Sequence, residues 1–201
     1  MIRAAPFLAL LLPLAACCRS YELPAYYPIA TTAQALQDHH VGKVSLGTFD
    51  SGPEAKDTLA RLKSGGASIV PAAGQSFVEY IAAGLRREIE RAGCFDPSSP
   101  AVLSGTLVAQ KLSVDWSFSG TADEWEADLR IRFVVRREGT VVFDKTLAKR
   151  HGWTSVSLQQ ISGPKSGEEY LATVQLLLRD LFSDPDFAAV TQAAATAHAG
   201  S

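Results

Sequence analysis

Residues Glu124 to Arg137 constrain the fold more than any other stretch. Trp125, Ala127, Leu129, Ile131, Phe133 and Val135 alternate with Glu126, Asp128, Arg130, Arg132 and Arg136. Period-two alternation over that length fits a strand with one buried and one wet face, and no helix can sort those residues so cleanly. A strand of this kind needs partners, and the flanking segments supply them. Ala101 to Val114 alternates in its first half, with Leu103, Gly105 and Leu107 opposite Val102, Thr106 and Val108. After the short turn Arg137-Glu138-Gly139-Thr140, the residues Val141, Phe143, Lys145 and Leu147 begin another strand. Val41 to Phe49 reads as the first strand of the chain.

Two helices can cover the apolar face. In Ser76 to Ala92, Phe77, Ile81, Leu85 and Ile89 recur every four residues. Ser76 and Glu79 form a capping-box pair, and Gly93 is the expected stop. Glu168 to Phe182 carries a second stripe through Tyr170, Leu171, Val174, Leu177, Leu178 and Leu181. The fold class is therefore α+β, an antiparallel sheet of about four strands with two main helices packed on one face. Asp50 to Gly66 reads either as a single helix from Glu54 to Leu62 or as a mobile loop, and Asp186 to about Thr196 as a short third helix.

The amino terminus follows a different logic. Met1-Ile2-Arg3 is a positive start, Ala4 to Leu12 is an apolar run interrupted by Pro6, and Leu14-Ala15-Ala16-Cys17 closes it. The run falls short of the ~20 apolar residues a spanning helix needs and matches a secretory signal. Its last four residues resemble the lipobox of bacterial lipoproteins. The resemblance implies cleavage after Ala16, diacylation of Cys17 and a membrane held through acyl chains. An ordinary signal peptide cut near Ala16 is the alternative. Cys18, where an inner-membrane retention signal would have Asp, implies the periplasmic face of the outer membrane. The domain layout is a signal peptide over 1–16, a lipidated tether or surface arm over 17–40, a single α+β domain over 41–190 and a frayed tail over 191–201.

Composition sets further limits. A net charge of −2 argues against a nucleic-acid partner. Cys18 and Cys94 could form a disulfide in an oxidising compartment, or Cys94 could be a small buried apolar residue. No nucleophile and base stand in a catalytic pattern, and no cofactor motif occurs. His39-His40, read at the entry to a strand, would point to opposite faces, so no metal site is expected. Asp123, Glu124, Glu126 and Asp128 form an acidic run that alternation places mostly in solvent. The loop containing Trp116 and Phe118, with Trp153 in a later connection, is the candidate partner contact, because exposed aromatic rings favour interfaces. These rings could also fold back onto the core.

Glu88-Ile89-Glu90-Arg91-Ala92-Gly93-Cys94-Phe95, Leu103-Ser104-Gly105-Thr106-Leu107 and Phe182-Ser183-Asp184-Pro185 resemble segments of YajG-type outer-membrane lipoproteins and, more loosely, auxiliary lipoproteins of envelope transport systems. That resemblance implies a compact α+β domain with no catalytic residues. The expected role is a non-enzymatic, outer-membrane-anchored protein that binds an envelope protein or a lipid ligand. The rival roles are a lipid or glycolipid carrier, an activator of a cell-wall synthase and, more remotely, a hydrolase.

Overall fold

The computed structural model describes residues 19–58, 60–64, 67–115, 123–155 and 164–198. In chain order these form β1 (Arg19–Glu22), α1 (Ala30–Asp38), β2 (Ser45–Ser51), a 3-10 turn (Pro53–Thr58), β3 (Leu62–Ser64), β4 (Ala67–Val70) and α2 (Phe77–Arg91). Then come β5 (Ala101–Asp115), β6 (Asp123–Arg137), β7 (Thr140–Ser155), α3 (Pro164–Phe182) and α4 (Pro185–His198).

The main sheet has the order β2-β5-β6-β7. The six apolar residues of β6 are each at most 2% exposed, and they share one core with Leu85 and Ile89 of α2 and Leu177 and Leu178 of α3. Helix α2 lies over β2 and β5, and α3 over β6 and β7. β5, β6 and β7 form the expected antiparallel meander. The sheet as a whole is mixed, however, because β2 runs parallel to β5. The reason is topological: α2 lies between these strands and returns the chain to the end where β2 began, so β5 must run the same way.

Local chemistry fixes the register. Arg137 pairs with Thr140 across a two-residue loop. Glu138 (φ 50°) and Gly139 (φ 81°) both occupy the left-handed region, as a tight hairpin turn requires. In β5 the pairing shifts between Leu107 and Ala109. This bulge explains why alternation fails in the second half of the strand: odd-numbered residues face the core before it, whereas Gln110 and Leu112 do so after it. A second shift, between Val135 and Arg136 of β6 and their partners in β7, leaves Val141 48% exposed although its spacing matches Phe143.

The region between β2 and α2 forms neither a single helix nor a simple loop. It contains a 3-10 turn and two short strands, which join β1 in a second sheet of order β1-β4-β3. Leu62 and Ile69 are buried there. Strands of three and four residues are too short to show a period.

Residues 19–38 are built into the fold. β1 pairs in parallel with β4, and the Leu23 N–H donates to the Val70 carbonyl at 2.8 Å. The next residues lie on α2. Tyr26 donates its hydroxyl proton to Glu88 Oε1 at 2.7 Å, Tyr80 donates to the Pro24 carbonyl at 3.1 Å, and Arg91 donates to the Pro28 carbonyl at 3.0 Å. Burial pushes the Glu88 carboxyl upward, opposed by the hydrogen bonds from Tyr26 and the Ile29 N–H and by the Arg91 charge. Gly84, inside α2, admits the Tyr26 ring: a Cβ there would lie 2.6 Å from it.

Glycine costs a helix ~1 kcal/mol relative to alanine. Gly84→Ala should nevertheless destabilise the protein by about 1–3 kcal/mol, because the ring must move. In a Tyr26→Ala background the same change should stabilise it. Urea unfolding of the four proteins checks this reversal of sign, and a stabilising Gly84→Ala with Tyr26 present would contradict it.

Candidate functional site

The far ends of β5, β6 and β7 converge on one edge of the molecule. Asp115 pairs with Glu124, Asp123 with Ser155 and Trp125 with Trp153. β7 therefore extends through His151 and Trp153 as an ordered strand, where the sequence suggested a connection beginning at His151. The missed signal was continued alternation: Lys145, Leu147, Lys149, His151 and Trp153 all face the helices opposite core residues of β6.

This strand lies at the edge of the sheet, and polar pairs tie it to α3 and to the turn between α3 and α4. Lys145 Nζ donates to Asp184 Oδ2 at 2.5 Å, Lys149 Nζ donates to Asp180 Oδ2 at 2.8 Å, and His151 Nε2 lies 2.8 Å from Glu169 Oε2. The partners descend in number along α3 as they ascend along β7, so helix and strand run antiparallel. Asp184 also accepts the N–H groups of Asp186 (2.9 Å) and Phe187 (3.3 Å), which caps α4. Burial works against its charge, but the Lys145 ammonium and those two N–H groups outweigh it and hold the carboxyl below the usual range.

At the end of this ladder, Trp153 stacks on buried Trp125 with ring centroids 6.1 Å apart and planes 19° apart. The His151 ring also stacks with Trp153, at 6.1 Å. Trp125 Nε1 is buried without a hydrogen-bond partner among the described residues. Beside the stack is a cavity of about 410 Å³ whose lining includes Ser113, Glu124, Glu126, Gly152, Trp153 and Thr154. Gly152 leaves this wall low. Glu126 pairs with Arg150 at 3.3 Å, and Glu124 is exposed. A cavity with carboxylates, hydroxyls and an indole edge can receive an amphipathic group.

Of the residues singled out by sequence, Trp153 is half-buried at this edge. Trp116 and Phe118 lie outside the described residues, as do Cys17 and Cys18. Cys94 is a buried free thiol whose Sγ donates to the Val41 carbonyl at 3.4 Å. Burial raises its pKa. His39 and His40 sit at the end of α1, with His40 in the left-handed region, and so do not open a strand. Glu126 and Asp128 lie on the wet sheet face and both pair with Arg150. No group of three or more His, Cys, Asp and Glu side chains is placed to hold a metal among the described residues. Nor is any described helix long and apolar enough to cross a membrane.

No family model matches the chain, and no curated protein matches it. Among solved structures, it is similar to protein XCC0632 of Xanthomonas campestris, which carries the family description DUF330. The identity is 12% and the TM-score 0.49, covering 90% of this chain and 98% of that one. A minor lipoprotein of Acinetobacter baumannii is similar at 9% identity and TM-score 0.42, covering 73% and 94%. Lipoprotein GNA1162 of Neisseria meningitidis is similar at 13% identity and TM-score 0.22, covering 55% and 83%. At such scores a shared outline says nothing about function. The YajG-type resemblance rests on its sequence echoes alone.

Asp184→Asn should destabilise the fold at neutral pH by about 1–2 kcal/mol, the lower part of the range for a charged hydrogen bond because Lys145 is half in water. A carboxyl held below its unfolded value stabilises above that value, near pH 4, and loses the contribution as pH falls through its folded value. The difference from wild type should therefore shrink below about pH 4 in urea titrations. A difference that stays constant down to pH 2 would contradict this account.

Proposed function

We propose that this chain is a periplasmic lipoprotein of the outer membrane, acylated on Cys17, that acts without chemistry of its own as an accessory protein binding a partner in the envelope. The observation that carries the reading is the position of Leu14-Ala15-Ala16-Cys17 directly ahead of the first strand, which begins at Arg19. A cleaved signal would leave its acyl-bearing cysteine at the threshold of a folded domain. The residue after Cys17 is Cys18, not Asp, which favours export to the outer membrane. Several acyl chains at ~0.8 kcal/mol per buried CH₂ hold a domain far more firmly than one.

The binding role is supported by the sheet edge at Trp153, with its half-exposed ring and adjoining cavity. The charged groups of the acidic run fit the same role, since Glu126 and Asp128 pair with Arg150 on the sheet surface. A lipid carrier would need room between helices and sheet. Leu85, Ile89, Phe133, Leu177 and Leu178 fill that seam with no exposure, so the carrier reading is the weaker one.

Intact mass of the protein extracted from native membranes, beside a Cys17→Ala variant, tests the proposal. Wild type should begin at Cys17 and carry acyl mass, while the variant should be unacylated and leave the membrane fraction. An unacylated, soluble wild-type chain would sink the reading.

A further inference from the structure

The segment that follows β1 and the aromatic edge meet the same end of α3. Glu22, Leu23 and Pro24 pass against the first turns of α3. A Cβ on Gly167 would lie 3.2 Å from Pro24 Cδ, 3.6 Å from Leu23 Cδ2 and 3.7 Å from the Glu22 carbonyl oxygen. Two residues along the helix, Glu169 pairs with His151, next to Trp153 in β7. The charge ladder fixes which end of α3 this is: Asp184 and Asp180, at the other end, meet Lys145 and Lys149.

From Glu22 back to Cys17 the chain can span at most about 17 Å, even fully extended at ~3.4 Å per residue. β7, by contrast, carries Val141 about 40 Å from Thr154 at ~3.3 Å per residue. An anchor on so short a lead holds the Trp153 end at the membrane and leaves the β6–β7 hairpin far from it.

Resting on acylation of Cys17, we infer that the Trp153 end of the sheet docks on the bilayer surface, at headgroup depth, with the β6–β7 hairpin pointing into the periplasm. A half-exposed indole suits that layer, because its ring is apolar and its edge polar. The charge at this end selects the lipid. Glu124 is exposed on the sheet face opposite the Trp153 ring and lines the same cavity; it repels anionic headgroups and complements the ammonium of a zwitterionic one. The occupant is therefore a phosphatidylethanolamine-type surface. The 410 Å³ cavity opens at the same edge.

The test uses the acylated full chain in vesicles of phosphatidylethanolamine and phosphatidylcholine containing a nickel-chelating lipid. Nitroxides are placed on Thr154→Cys and, separately, on Val141→Cys, in a Cys18→Ser background; both positions are exposed, and the Cys94 thiol is buried. The lipid-bound nickel should enhance relaxation at Thr154 several-fold more than at Val141. Equal enhancement, or a larger effect at Val141, in protein that still floats with the vesicles overturns the orientation and leaves the anchor intact. Protein that neither floats nor carries acyl mass overturns the anchor and the orientation with it.

Discussion

The structure depends on covering the apolar face of β6. Its six inward residues are shielded almost completely, and burying Leu129, Ile131, Phe133 and Val135 is worth about 1.5–3 kcal/mol each. A slip of one residue would turn all six into water and bring Arg130 and Arg132 into the core. The positive-φ turn at Glu138-Gly139 and the bulge after Leu107 in β5 are the local devices that hold the pairing in place. Helices α2 and α3 then divide the covering between them. Over β7 the facing residues include Lys145, Lys149 and His151, and they meet Asp184 at the cap of α4 and Asp180 and Glu169 of α3. An edge strand that carries charge this way is also a poor template for unwanted pairing.

The same covering principle extends to the amino-terminal segment. Tyr26 fills the groove that Gly84 opens in α2, and the arm's carbonyls accept hydrogen bonds from Tyr80 and Arg91. Glu88 is an uncommon choice for this position. Its Oε1 accepts from Tyr26, but Oε2 is buried without a partner among the described residues, and burial raises the carboxyl's pKa. The segment next to the proposed acyl anchor is thus packed like the rest of the core. A domain attached through a rigid lead has a preferred face toward the bilayer, and a domain on a flexible linker does not.

Much of this was legible in the sequence where side chains repeat over many residues. β6, the capping box of α2 and the stripe of α3 each carry a long, self-consistent pattern. The parallel pairing of β2 was not legible, since strand direction follows from the crossover and leaves no mark on alternation. α1 escaped notice because it starts at Ile29 without a side-chain cap and buries only Thr32, Ala35 and Leu36. At the candidate site, Trp153 was visible as an aromatic ring in a polar stretch. Its support from His151 and Glu169 depends on a contact across eighteen positions, which local pattern cannot reveal. The Tyr26–Glu88 pair is hidden for the same reason, at a separation of 62.

Residues 19–38, next to the proposed anchor, belong to the cooperative fold. Amide hydrogen exchange on the acylated protein in vesicles tests it most directly, with the N–H groups of Leu23, Ala33 and Val41 compared with those inside α2. These amides should exchange at the slow rate of the α2 interior, through global unfolding. Exchange there at near the unprotected rate, with α2 still protected, would show a loose tether and contradict both the packed arm and the membrane-facing orientation built on it.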